Sequence, residues 1–319
     1  MRTHPGLPAA AGRLARGAVA IGNFDGVHLG HRALLVHSRA LVERAPPGPA
    51  CALTFEPHPV RILAPDLAPP RICSPERKLE LLAGLGVDEV VVQPFNAAVA
   101  ALSPEEFVEL LCATGASQVV VGHDFTYGKA RTGNVESLRR ALEERGVGLS
   151  LVPLVTVDGL VVSSTKVRER ALEGKVDAAA ALLGRPLDLD GEVVAGAGRG
   201  RLLGWPTANI RSSAELLPAV GVYAARVRLW EGTAWGASLP AAANLGINPT
   251  FRTVAQAGGK TPLLLEAHLL DFAADLYGRR VRIEFVRRLR EERRFPGPDA
   301  LRAQIAADVA EARRALSGR

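Results

Sequence analysis

Ten residues, Gly22-Asn23-Phe24-Asp25-Gly26-Val27-His28-Leu29-Gly30-His31, lie between a short apolar β-rich run and a stretch with helical spacing. Glycines at 22, 26 and 30 let a backbone turn tightly and approach a phosphate, and a helix start offers unsatisfied N–H groups and a positive dipole end. His28 and His31 are three apart, so they share a face there and can donate to phosphate oxygens, with Gly30 keeping that face open. The chemistry that fits is the cradling of a phosphate chain. Two surface histidines before an ordinary helix are the plainer alternative, which the strand–loop–helix context disfavours. A zinc site fits less well, because helical histidine ligands want i, i+4 spacing with a carboxylate or cysteine in the pattern. No GxGxxG follows the strand, so a dinucleotide site has no support.

A second anion site is suggested by Val162-Ser163-Ser164-Thr165-Lys166-Val167-Arg168. Ser or Thr before a helix reads first as an N-cap, here with Glu169 in the first turns. Three hydroxyls with a lysine and an arginine at a helix start also make an anion site, expected on the same side of the sheet as the histidines.

A third cluster lies further along. Gly191 to Gly204 holds five glycines in fourteen residues, which alone suggests only barrel turns, but it runs into Trp205-Pro206-Thr207-Ala208-Asn209. Thr207 and Asn209 are two apart, so on an extended segment they share a face and offer two neutral oxygens to a Mg²⁺ that keeps its waters and phosphate ligands. Glu266 and His268 alternate with apolar neighbours on a strand-like run and could equally be its solvent face.

The elements that must position these residues follow from periodicity. Strands are predicted over 18–21, 51–55, 89–93, 119–122 and 148–154, and helices over 32–43, 74–85, 103–114 and 134–145. This alternation predicts a parallel sheet with helices on its faces and ligands at the carboxyl ends of its strands. Helices follow over 165–173 and 176–183, and the pattern changes at Gly184-Arg185-Pro186. Short β-rich runs at 192–194, 222–229, 241–243, 263–269 and 281–286 predict a small antiparallel barrel or sandwich. Residues 298–316 predict a closing amphipathic helix with Leu301, Ile305, Ala306 and Val309 inward.

A chain of 319 residues suits two domains. The reading is a tail over 1–17, an α/β domain over 18–184 and a β-barrel domain over 185–319. Lys and Arg exceed Asp and Glu by 39 − 33 = +6, but only five of the cations are lysine. Such a charge suits phosphorylated small molecules, and no basic stripe with interleaved aromatics suggests nucleic acid. Three distant cysteines fit neither a disulfide framework nor a CxxC pair, and no run reaches the length of a membrane span. A soluble cytoplasmic protein is expected, with no nucleic-acid or membrane partner and with a homo-oligomer left open.

At this point a family resemblance emerges. GxFDGxHxGH, then Phe55-Glu56-Pro57-His58-Pro59, then Gly122-His123-Asp124-Phe125-Thr126-Tyr127-Gly128, then SSTxxR resemble, in order, the adenylyltransferase module of the prokaryotic bifunctional riboflavin kinase/FAD synthetases. The HxGH element alone is shared with other nucleotidylyltransferases and with class I aminoacyl-tRNA synthetases, whose KMSKS-like lysine loop this chain lacks. Asn244–Phe251, Leu265–Phe272, Asp275–Gly278 and Arg290–Phe295 are similar to the riboflavin kinase module, again in order.

The resemblance implies a Rossmann-like nucleotidylyltransferase domain that converts FMN and ATP to FAD and pyrophosphate, followed by a barrel that phosphorylates riboflavin to FMN. It implies that His28, His31, Ser164, Thr165 and Arg168 hold ATP phosphates, in a loop that includes Gly22, Phe24, Asp25, Gly26 and Gly30. Phe55, Pro57, His58, Asp124, Phe125 and Tyr127 would shape the flavin side. On the barrel, Gly196, Gly200, Arg201, Gly204 and Pro206 would serve ATP, Thr207 and Asn209 the Mg²⁺, and Glu266 would be the base for the ribityl 5′-hydroxyl. The implied partners are riboflavin, FMN and ATP as co-substrate. Leu187 departs from the aromatic residue common after Gly-Arg-Pro, and the 255–260 segment has no assigned role. The rivals are an enzyme with only the kinase module active, a flavin-nucleotide binder without turnover, and an RNA-binding protein using the HxGH fold.

Overall fold

The computed structural model of this chain describes residues 1–44, 48–196, 204–247 and 263–317, which form two compact units, Met1–Ser164 and Thr165–Arg319. The first unit begins with β1 (Arg2–His4), β2 (Ala18–Ile21), α1 (Leu29–Arg44), β3 (Ala50–Glu56), α2 (Val60–Leu63), α3 (Pro75–Gly84) and β4 (Glu89–Pro94). It continues with α4 (Ala97–Ala100), α5 (Pro104–Ala113), β5 (Gln118–Gly122), the short pair β6 (Thr126–Tyr127) and β7 (Gly133–Asn134), α6 (Val135–Glu143) and β8 (Gly148–Val152). A second short pair, β9 (Thr156–Val157) and β10 (Leu160–Val161), completes it.

Six of these strands form one parallel sheet in the order β1-β4-β3-β2-β5-β8. The apolar runs are continuous because both faces are covered: Val19 and Ile21 face a core with Leu7, Leu111 and Leu138, while Ala20 faces one with Leu35 and Leu82. From β2 the chain winds outward through β3 and β4, then returns to the other side through β5. Strand order therefore reverses between β2 and β5, and the carboxyl ends there border the crevice in which ligands of such sheets bind. Helix starts are fixed locally. Ser74 caps α3 by accepting from the Arg77 N–H, and Ser103 with Glu106 closes a capping box on α5.

The opening residues are not a tail. Arg2–His4 pair with Glu89–Val91 as the edge strand, and Leu7, Ala10 and Leu14 are buried in the core. Polar and small residues around these positions hide the apolar spacing in the sequence.

In the second unit, α7 (Ser164–Leu172, its first residue still in the first unit) and α8 (Val176–Leu183) lead to β11 (Leu187–Val194), β12 (Ala208–Arg211), β13 (Gly221–Leu229), β14 (Leu239–Ile247), β15 (Leu263–Leu269) and β16 (Arg280–Arg290). Gly184 ends α8 at φ +70, a left-handed stop that suits glycine. The units thus divide ahead of the sequence boundary at 184, because Ala171 accepts from the Ala219 N–H and Gly174 packs against Arg288.

The six strands close as an antiparallel barrel in the order β11-β12-β15-β14-β13-β16. Tyr223 and Phe285 meet inside it with ring centroids 5.2 Å apart, and Leu187 is buried opposite Phe285.

α9 (Pro298–Ser317) packs Ala312 and Leu316 against Ala224, and Asp308 takes a two-pronged bond from Arg290 of β16 at 2.9 and 2.7 Å. Val309 is buried and Leu301 and Ile305 half-buried, but Ala306 is exposed, which corrects its predicted inward placement. The buried side of the helix continues through 308, 312 and 316, rotated away from 306.

Leu7 offers a direct test of the opening segment. Leu7→Ala should cost the first unit about 2–5 kcal/mol through lost burial and a residual cavity. Denaturant unfolding of the full chain measures this, and an unchanged midpoint would return residues 1–17 to a tail.

Candidate active sites

The first site is the loop between β2 and α1. Its turn passes through left-handed backbone at Phe24 (φ 50), Gly26 (φ 79) and Val27 (φ 42), a conformation costly for a β-branched residue and held only by its surroundings. Asp25 supplies part of that hold. Its buried carboxylate accepts from the Ile72 N–H at 3.0 and 3.2 Å and the Cys73 N–H at 3.4 Å, while Ser164 Oγ donates to its carbonyl at 3.0 Å. A Cβ at Gly26 would come within 2.8 Å of Ile72 Cγ2. Asp25 therefore fastens the loop with its side chain.

The turn delivers the histidines together. The His28 and His31 rings stack with centroids 3.6 Å apart, and Phe24 meets His31 edge-on at 5.2 Å. The His31 backbone N–H donates to His28 Nδ1 at 3.2 Å, which puts the proton of a neutral His28 ring on Nε2. A Cβ at Gly30 would press on the His28 ring at 3.2 Å. Burial, then the neighbouring His28 and Lys78, hold the His31 pKa well below 6.5, so His31 is neutral near pH 7.

The flavin-side segments follow the carboxyl ends of β3 and β5, the two strands flanking β2. His58 Nε2 lies 3.2 Å from Asn23 Nδ2, Pro57 is half-buried, and the half-buried Phe55 meets Phe95 edge-on at 5.9 Å. Asp124 is exposed and Phe125 half-buried, with its ring stacked on Tyr127 at 5.8 Å. Tyr127 itself is buried against Phe107, with its hydroxyl 3.3 Å from Ser137 Oγ, so it supports Phe125 from the core side. Gly22 lies directly after β2, where a Cβ would press on the Phe24 ring at 3.3 Å. Thr165 and Arg168 continue along α7 in the second unit, the first exposed and the second buried.

The second site lies on the outer face of the barrel. Register places Asn209 of β12 and Asn244 of β14 directly opposite Glu266 of β15, one on each side, so the three share a face. Their neighbours Ile210, Leu245, Leu265 and Ala267 are buried on the other face.

Half-buried Thr207 immediately precedes β12, and a Cβ at Gly196 would collide with the Asn209 amide, so glycine leaves room for that side chain. Gly204 and Pro206 are exposed, Gly204 at φ +87. Gly200, Arg201 and the 255–260 segment lie outside the described residues. His268 Nδ1 donates to the Pro206 carbonyl at 2.8 Å, and its ring meets Trp205 edge-on at 5.3 Å. Trp205 also lines a cavity of about 660 Å³ against α9, with Ala306, Val309, Ala310, Arg313 and Arg314.

Sequence reasoning missed Lys78, Thr54 and Asn244. Lys78 was legible in part, since it stands four residues before the buried Leu82 on the apolar side of α3. The side shared by Asn244 with Glu266 is set by strand register, which spacing within one segment does not reveal.

Comparison with known proteins matches this division. The family model described as FAD synthetase matches residues 12–166, and that described as riboflavin kinase matches residues 183–316. A bifunctional riboflavin kinase/FMN adenylyltransferase from Pseudomonas fluorescens is 41% identical over 93% of this chain and 93% of its own length. One from Escherichia coli K12 is 38% identical over 92% of this chain and 90% of its own. A crystal structure described as a macrolide-efflux protein from Streptococcus pneumoniae superposes with TM-score 0.86 at 29% identity, covering 98% of this chain and 99% of that one. Among the described residues no helix is long and apolar enough to cross a membrane. On its sequence identity and coverage, the chain belongs to the bifunctional riboflavin kinase/FMN adenylyltransferase family.

Proposed function

We infer that this chain makes FAD in two steps: riboflavin and ATP give FMN and ADP on the barrel, then FMN and ATP give FAD and pyrophosphate at the parallel sheet. The observation that carries this reading is that each family match falls mainly on one compact unit, and each unit has its own polar site. Incubation of the protein with riboflavin, ATP and Mg²⁺, followed by separation of riboflavin, FMN and FAD, tests it. Absence of both products would sink the reading.

In the adenylyl step an FMN phosphate oxygen attacks the α-phosphorus of ATP and pyrophosphate leaves. His28 and the neutral His31, with Ser164, Thr165 and Arg168, donate to ATP phosphate oxygens, and Phe55, Pro57, His58, Asp124 and Phe125 border the flavin. The loop backbone at Gly22, Gly26 and Gly30 gives the phosphates a close approach. Asp25 and Tyr127 act behind this surface, by holding the loop and Phe125.

In the kinase step the ribityl 5′-hydroxyl attacks the γ-phosphorus and Glu266 takes its proton. Thr207 and Asn209 would hold Mg²⁺; their neutral oxygens beside a carboxylate suit a hard cation that keeps phosphate and water ligands. Bound there, such an ion would supply charge neutralisation on the phosphates. Gly196, Gly204 and Pro206 shape the ATP side of this site. Glu266 stands directly opposite Asn209, one of the residues that would hold the ion, which favours it over His268 as the base. The cavity between Trp205 and α9 offers an aromatic and apolar wall to the flavin ring. Cys51, Cys73 and Cys112 form no disulfide, which suits a reducing cytoplasm.

Glu266→Gln keeps size and polarity but cannot take the proton, so kinase turnover should fall by about 10²–10⁴. Supplied FMN should still become FAD. Rates for Glu266→Gln beside His268→Ala settle the choice of base: a fast glutamine variant with a slow histidine variant would reverse it.

Loss of one donor to the transition state costs about 10²–10³ in kcat. His28→Ala and His31→Ala should each impair FAD formation to that degree while FMN formation continues. Unchanged FAD synthesis in both would reduce these residues to structural histidines.

His31 also has a stability signature. Its folded pKa is lowered, so below 6.5 the unfolded chain binds a proton that the folded chain refuses. Stability of the first unit should therefore fall as pH drops from above 6.5 toward the folded pKa. Urea unfolding of wild type and His31→Gln across this window should show a shallower fall in the variant; identical slopes would contradict the assignment.

A further inference from the structure

Lys78 is 7% exposed on α3, and its part in the chemistry above is limited to helping keep His31 neutral. A buried ammonium is costly unless its donors are satisfied, and an apolar side chain of similar length would fill the same place without that cost. Its Nζ lies 3.2 Å from Glu56 Oε2, 3.3 Å from the Asn23 carbonyl and 3.4 Å from Thr54 Oγ1. Three donors thus meet three acceptors. The acceptors are not scattered: Asn23 opens the histidine loop, and Thr54 and Glu56 end the strand that leads into Pro57-His58-Pro59.

The contacts around Lys78 form a circuit. Thr54 Oγ1 donates to the same Asn23 carbonyl at 3.0 Å, and the Asn23 amide reaches His58. Glu56 Oε1 accepts from Arg71 at 3.3 Å, Arg71 precedes Ile72, and the Ile72 N–H donates to Asp25 in the loop. The next residue after Asn23 is Phe24, the first left-handed position of the turn. Fixing the Asn23 peptide therefore fixes where the strained turn begins, and with it the direction in which His28 and His31 are presented.

We propose that Lys78 is a positioning residue that ties the histidine loop to the segment after β3, so that the ATP side and the flavin side of the first site keep one spacing. The proposal rests on the adenylyltransferase reading of that site. Lys78 touches neither substrate; it acts through Asn23 and Glu56. Removal of its ammonium leaves Glu56 paired with Arg71 and 24% exposed at its side chain, so no isolated buried charge remains.

The test uses the full chain, with FMN formation by the barrel as internal control. Lys78→Met should keep the unfolding midpoint near wild type and lower kcat for FAD formation by about 10–100-fold, since small misplacements of reacting groups cost factors of this size. KM for FMN and for ATP should stay within about threefold, and riboflavin phosphorylation should not change. Glu56→Gln should lower the same kcat, and the double variant should fall no further than the worse single one, because both interrupt one linkage. A Lys78→Met enzyme with wild-type kcat overturns the proposal, as does a loss of activity that only tracks unfolding, or effects of the two substitutions that simply multiply. A wild-type chain that makes no FAD overturns the site reading and the proposal together, whereas active wild type beside equally active Lys78→Met overturns the proposal alone.

Discussion

The buried carboxylate of Asp25, accepting from the backbone N–H groups of Ile72 and Cys73, is the contact on which the adenylyl site depends. Without it the chain after β2 would have no reason to pass through left-handed backbone at Phe24 and Val27. That path turns the chain sharply enough for α1 to begin with His28 and His31 stacked over the crevice. A carboxylate that accepts several backbone N–H bonds is a strong anchor because each bond is charge-assisted. Its partners come from the segment just before α3, so the loop is braced from the neighbouring strand's connection rather than by itself.

The barrel reaches the same end by closure. Six antiparallel strands leave no free edge, and an apolar interior fixes the register, because a one-residue slip would turn every inward side chain out. Tyr223, Leu245, Leu265, Ala267 and Phe285 set that register from inside. Asn209, Glu266 and Asn244 are then forced into one row on the outside. The polar site is a consequence of how the apolar side packs.

Most of this architecture was legible because its signals are local. Alternating apolar runs gave the parallel sheet and its helices, and Gly184 marked the end of α8 through the left-handed backbone that glycine favours. The loop glycines and histidines carried the first site within ten residues of sequence. Other features depend on distant pairing and left weaker traces. The edge strand Arg2–His4 is too short to show a period, and its partner lies beyond position 88. Asp25 reads as a loop polar residue until its partners at 72 and 73 are known. Tyr127 belongs to a motif yet faces the core, because alternation along β6 turns Thr126 outward and Tyr127 inward.

Both sites rely on few charges of their own. His31 is held neutral by burial and by its neighbours His28 and Lys78, and Asn209 offers an uncharged oxygen opposite a single carboxylate. This suits reactions on ATP, whose phosphates bring the charge and, with magnesium, its counterion. Neutral donors fixed in place need not reorganise as charge shifts between phosphate oxygens, so most of what the protein adds is placement. Placement is what a strained loop pinned by Asp25 and a closed barrel with fixed register both provide. Apart from Arg168, the scattered arginines that make the chain basic need then do no more than draw anions toward it.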